Sequence, residues 1–211
     1  KPHAHPPAAD GDCLICHSAH SGKGGALLTD EQADLCGTCH DNVAQDLKAR
    51  VVHPAFAQGK CGACHDPHGS DQEKLLKSAD GAMCLSCHAD LGKQLAEGKP
   101  NRHPPAAKKD CLRCHFPHSG DQPHLLRKEQ GALCLSCHAD AVKALASKQQ
   151  HPPFRNGNCT ACHSPHQSDH PKLAKAEGGA VCASCHNVAK LAAQQPHAHP
   201  PVREAECLKC H

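Results

Sequence analysis

The sequence contains no tryptophan and no tyrosine, and only three phenylalanines and one methionine in 211 residues. Leu, Ile, Val and Phe together occupy 30 positions, under the roughly one fifth below which composition resembles a disordered chain. A polypeptide this poor in large apolar side chains builds no core from its own residues. Strong net charge, the usual companion of disorder, is missing as well, because 23 Lys and Arg offset 21 Asp and Glu to leave +2. Material other than protein therefore has to supply the interior.

Other absences narrow the function. No window is apolar for long enough to cross a bilayer. Near-neutral charge gives no basic stripe, and the lack of aromatics leaves no platform on which bases could stack, so nucleic acid is a poor partner. The chain starts at Lys1 with no charged-then-apolar leader, which reads as a mature or trimmed form whose export signal has gone.

What the sequence has instead is 18 Cys and 22 His. Every cysteine falls in a Cys-x-x-Cys pair: Cys13 and Cys16, Cys36 and Cys39, Cys61 and Cys64, Cys84 and Cys87, Cys111 and Cys114, Cys134 and Cys137, Cys159 and Cys162, Cys182 and Cys185, Cys207 and Cys210. The residue after each pair is histidine: His17, His40, His65, His88, His115, His138, His163, His186 and His211. With His at about one residue in ten, nine such coincidences in nine would arise by chance on the order of once in a billion, and Cys-x-x-Cys-His is the attachment motif of c-type haem. Two sulfurs on one helical turn can add to the two vinyl groups along one porphyrin edge, and the next imidazole reaches the iron. A structural zinc site needs four ligands and gives no reason for His after every second Cys; disulfides are indifferent to the following residue. The reading is nine covalent haem c groups, each with a proximal histidine.

The spacing is periodic. First cysteines are separated by 23, 25, 23, 27, 23, 25, 23 and 25 residues, so the repeating unit holds two haems. We call the motifs beginning at Cys13, Cys61, Cys111, Cys159 and Cys207 type A, and those at Cys36, Cys84, Cys134 and Cys182 type B. A His-Pro histidine (His5, His53, His103, His151, His199) stands eight positions before each type-A motif, and a further histidine (His20, His68, His118, His166) stands three positions after its proximal histidine. The modules are residues 5-40, 53-88, 103-138 and 151-186 with a half module at 199-211, and all length variation falls between them, as surface connections allow. We expect one continuous array over 1-211, because no module has a core of its own.

Paired motifs separated by segments such as "DPHGSDQEKLLKSADGAM" resemble the doubled CXXCH domain of secreted multihaem c-type cytochromes. The resemblance covers nearly the whole chain and implies electron transfer outside the cytoplasm through closely packed c-haems.

Nine irons call for nine distal ligands. Met83 is the only methionine and matches Leu35, Leu133 and Val181 in the repeat, so it reads as packing. The five His-Pro histidines and the four that follow type-A motifs also number nine; His124 and His170 are left as solvated residues, and His3 and His197 as solvated residues, spare ligands or intersubunit ligands. The simplest closed assignment gives each His-Pro histidine to the type-A haem of its own module and each of His20, His68, His118 and His166 to the type-B haem of the same module. Ligands donated across modules, or between subunits, are the competing assignment.

The expected fold is mostly irregular coil with short α-helices wrapped around a stacked haem chain, without a β-sheet. Helices are predicted after the type-B motifs, where residues such as Val43, Leu47 and Val51 recur at helical spacing. Irons closed by two imidazoles leave no substrate position, which argues against an enzyme or a small-molecule site and for outer-sphere electron transfer. The favoured function is a long-range conduit in the periplasm, through an outer-membrane pore partner, or as an extracellular polymer in which copies stack head to tail. The alternative is a diffusible periplasmic shuttle that hands electrons to a separate reductase.

Overall fold

Proline sets the first local decision. Each His-Pro histidine sits in extended backbone, with ψ between 126° and 133°, because the following ring excludes the helical region. The proline then opens a one-turn helix from its first position, where its missing N–H costs nothing. These turns are Pro6–Ala9, Pro54–Ala57, Pro104–Ala107, Pro152–Arg155 and Pro200–Arg203, and they deliver the chain into the type-A motif.

The computed structural model describes residues 1–193 and 197–210. Type-A cysteines lie on single helical turns at Cys13–Ile15, Cys61–Cys64, Cys111–Arg113, Cys159–Ala161 and Cys207–Lys209. The first cysteine of each type-B motif is carried by a short helix, Gln32–Gly37, Asp80–Leu85, Gln130–Leu135 or Ala180–Ala183. Helices follow the type-B motifs as expected, at Asn42–Asp46, Ala89–Glu97, Ala139–Ala144 and Val188–Ala193, but the first ends at Asp46, so Leu47 caps it and Val51, expected on the same helix, lies on a ladder strand. Helices this short are marginal on their own, so tertiary contacts have to hold them.

The described residues form coil, short helices and only three two-residue antiparallel ladders. His3–Ala4 pairs with Gly69–Ser70, Val51–Val52 with Ser119–Gly120, and Asn101–Arg102 with Gln167–Ser168. Each joins the residues just before one module's His-Pro to those just after the next module's post-motif histidine. The chain sorts into two compact units. One holds residues 1–92 with 109–146 and contains the first two ladders; the other holds 93–108 with 147–211 and contains the third.

The interior is polar where there is one at all. Among the described residues no hydrophobic side chain is buried, and the buried polar side chains are Ser70, Gln167 and Ser168, all on ladder strands. Ser70 Oγ accepts from the Gln72 N–H at 2.9 Å and donates to the Leu76 carbonyl, and Ser168 repeats this with the His170 N–H and the Ala174 carbonyl. Gln167 Nε2 donates to the Gln94 carbonyl at 2.7 Å. Leu14, at 71% exposure, and Ile15, at 55%, stand open beside Cys13 and Cys16.

Candidate metal centres

A shared device holds the type-A proximal histidines. Nδ1–H of His17, His65, His115 and His163 donates to the carbonyl of the residue nine positions later: Ala26 at 2.9 Å, Lys74 at 2.8 Å, His124 at 2.8 Å and Lys172 at 3.0 Å. Each of those carbonyls is placed by two successive residues with positive φ, Ala26–Leu27, Lys74–Leu75, His124–Leu125 and Lys172–Leu173. Such backbone costs about 1–3 kcal/mol per residue and persists where the surroundings demand it. Committing Nδ1 to a carbonyl fixes the tautomer and leaves Nε2 as the free donor atom for a metal. His124, read from sequence as merely solvated, contributes its main chain to this device.

The ladders place the second set of histidines. His53 N–H donates to the His118 carbonyl at 2.8 Å, and His103 N–H to the His166 carbonyl at 2.9 Å, so histidines from successive modules leave the same hydrogen-bonded strip. His68 is held further by Asp66, which accepts from the His68 N–H at 3.1 Å while Lys1 Nζ donates to Asp66 at 2.8 Å and to the Gly69 carbonyl at 2.8 Å.

These supports bring imidazoles together in pairs. Ring centroids are 6.1 Å apart for His5 and His40, 6.2 Å for His53 and His88, and 5.9 Å for His151 and His186. They are 6.0 Å apart for His17 and His68 and 6.0 Å for His65 and His118. An imidazole nitrogen binds a first-row metal at about 2 Å, with the ring centre about 1 Å behind it, so imidazoles on opposite sides of one metal have centroids roughly 6 Å apart. The pairs match that separation. In these pairs the His-Pro histidine faces the type-B proximal histidine of its own module, and the type-A proximal histidine faces one from the next module, a different grouping from the one expected from spacing. Among the described residues His20, His163 and His199 stand in no ring pair; His211 lies outside the described residues.

The cysteines fall into a matching order. None of the eighteen is held in a disulfide. Burial and the adjacent Cys61 thiol push Cys36 up to about 11, and burial with the Cys207 thiol raises Cys182. Burial raises Cys64 and Cys114, helped by Cys87 and Cys137 respectively. First cysteines thus meet from type B to the following type A, and second cysteines meet within a module. Burial lowers the pKa of His53, with His88 adding to it, and that of His118, with His65 adding to it. Both shifts favour the neutral ring that a metal ligand requires.

The donor set fits haem. Among the described residues no three His, Cys, Asp or Glu side chains converge on one point, whereas a structural zinc needs four protein ligands. Two opposed imidazoles beside two thiols are what a porphyrin requires, since it brings four nitrogens itself. The sequence missed the Nδ1-binding carbonyls because main-chain atoms carry no residue signature; the leucine ten positions after each type-A proximal histidine (Leu27, Leu75, Leu125, Leu173) is the trace it left. It also missed Phe56, stacked on His118 with centroids 4.7 Å apart.

Repeated thiol pairs, each followed by an imidazole, on a scaffold of coil and short helices with no apolar core define a multihaem c-type cytochrome, with haem attached covalently at the motifs. Residues 5–45, 53–93, 103–143 and 151–191 match the doubled CXXCH motif, and because these matches span more than half of the chain, it belongs to that family. No curated protein matches the chain. Among the described residues no helix is long and apolar enough to cross a membrane.

Proposed function

We propose that the protein is an electron conduit outside the cytoplasm, carrying nine c-type haems closed by histidine on both faces, and that it is not an enzyme. Haem iron supplies a one-electron couple. The eighteen cysteines would hold the haems covalently, and the nine proximal and nine further histidines would ligate their irons. A closed iron has no position for substrate, which leaves electron transfer as its chemistry.

The observation that carries the reading is the order of neighbouring thiols. Cys64 beside Cys87, Cys36 beside Cys61 and Cys182 beside Cys207 bring attachment edges together both within a module and from one module to the next. Attachment edges that adjoin in this way inside each compact unit suit a conduit better than a shuttle, which needs only one exposed donor. His20 and His199 remain as donors for irons shared between copies stacked head to tail, with another redox protein or an outer-membrane pore as the further partners.

Iron and haem counting on the intact protein, with spectra taken before and after carbon monoxide, tests this. We expect nine irons per chain, predominantly low-spin, with any gas-binding fraction shrinking as chains associate. A count well below nine, or irons that mostly accept carbon monoxide, overturns it.

A further inference from the structure

The ring pairs carry a consequence that neither motif spacing nor family membership supplies. We infer that the modules are interlocked through their metals: the iron anchored by Cys13, Cys16 and His17 takes its distal imidazole from His68 of the second module, and the iron anchored by Cys61, Cys64 and His65 takes His118 of the third. The type-B irons at His40, His88 and His186 are instead closed from within their own modules by His5, His53 and His151. This rests on the haem reading above.

Three independent features agree. The first is distance, since His17 to His68 and His65 to His118 both show centroids 6.0 Å apart. The second is the main chain. The ladder of His3–Ala4 with Gly69–Ser70 ends one residue from both His5 and His68, and that of Val51–Val52 with Ser119–Gly120 ends one residue from both His53 and His118. One ladder therefore presents both distal imidazoles of a module, one from that module and one from its successor. The third is the proximal side, where carbonyls of Ala26 and Lys74 occupy Nδ1 of His17 and His65 and leave Nε2 as the metal-binding atom.

Sequence offsets behave as the inference requires. The type-B pairs are all 35 residues apart, because no inter-module connection lies between their members. The type-A pairs are 51 and 53 apart and absorb the two-residue difference in the connection they enclose. A module with its own haems attached is thus incomplete at its type-A iron until the next module docks.

The test is epistasis in the full-length, haem-loaded chain. His68→Ala should open one iron, read as a high-spin signal and stoichiometric carbon monoxide binding. Adding Cys13→Ser and Cys16→Ser removes the first type-A haem and should abolish that signal, whereas adding Cys84→Ser and Cys87→Ser should leave it. The reverse pattern, or a signal that survives both deletions, overturns the inference. If His68→Ala does not accumulate, His68→Met keeps a sixth ligand, and its thioether-ligated spectrum is followed through the same two deletions with the same expectations. In parallel, the signal opened by His5→Ala should vanish with Cys36→Ser and Cys39→Ser; its loss with Cys13→Ser and Cys16→Ser instead also overturns the inference. A wild-type chain without haem sinks the underlying reading, while a loaded chain with the reversed epistasis sinks only the pairing.

Discussion

Type-A and type-B centres use the same five-residue motif, yet the chain supports them differently. Each type-A proximal imidazole in the four full modules is tied through Nδ1 to a carbonyl held out by a left-handed turn. Among the described residues His40, His88 and His186 have no such carbonyl; the chain turns straight from them into the helices Asn42–Asp46, Ala89–Glu97 and Val188–Ala193. A hydrogen bond at Nδ1 makes the imidazole a stronger donor and favours the oxidised metal. The difference implies that irons on His17, His65, His115 and His163 lie lower in potential than irons on His40, His88 and His186.

That contrast presupposes porphyrin as the common interior, and the most drastic way to break it is to remove the haem. With no hydrophobic side chain buried among the described residues, the apo chain should lose cooperative unfolding entirely. A sharp calorimetric transition in haem-free protein would show that the polypeptide carries a core of its own, and both classes of site would need another explanation.

Next in size is the seam where a type-B helix meets the following type-A motif. A Cβ on Gly179 would run into the carbonyl oxygen of Ala205, and one on Gly81 into Lys109. In the first module the roles are exchanged: the type-B position is Ala33 and the small partner is Gly59, where a Cβ would stand 3.0 Å from that of Ala33. One side of each of these contacts must be glycine. Gly179→Ala should destabilise the protein by about 1–3 kcal/mol, read as a lowered thermal midpoint, and no repacking of a flexible side chain can relieve a clash with backbone.

How much of this was legible depends on where the information resides. Thiols and imidazoles are residue types, so the motifs and the eighteen candidate ligands could be read directly, as could the extended backbone before each proline. The partner of each distal histidine could not. Spacing within a module is constant whether His68 serves its own module or the one before. The choice is made by two-residue ladders of Gly69–Ser70, Ser119–Gly120 and Gln167–Ser168, whose side chains share no pattern because the ladder is main-chain bonding. Carbonyls at Nδ1 escaped notice for the same reason.

The redox classes can be sharpened at a single turn. Lys74→Pro forbids the positive φ that aims its carbonyl at His65, and the iron on His65 should then rise in potential. A hydrogen bond of about 1.5 kcal/mol corresponds to roughly 60 mV for one electron. Lys74→Gly keeps the turn at no steric cost and should leave the potential in place. Spectroelectrochemical titration of the two variants separates loss of the carbonyl from general damage; equal shifts in both would refute a role for the carbonyl in setting the potential.

The smallest effect compares two type-A sites with each other. At the first, His68 is steadied by Asp66, whose carboxyl is held at about 2 by the Lys1 ammonium and by the N–H of His68. At the second, the position of Asp66 is taken by Phe116, and His118 leans instead on Phe56. A depressed carboxylate stabilises the fold above its unfolded pKa near 4, and the contribution is lost as pH falls through about 2. Because protonation of the distal imidazole competes with iron on acidification, losing this anchor should make the first site give way earlier. In Asp66→Asn the iron assigned to His17 and His68 should turn high-spin at a higher pH than in the wild type, while the iron on His65 and His118 keeps its midpoint. An equal displacement of both midpoints would mean that Asp66 acts through net charge rather than by holding one histidine in place.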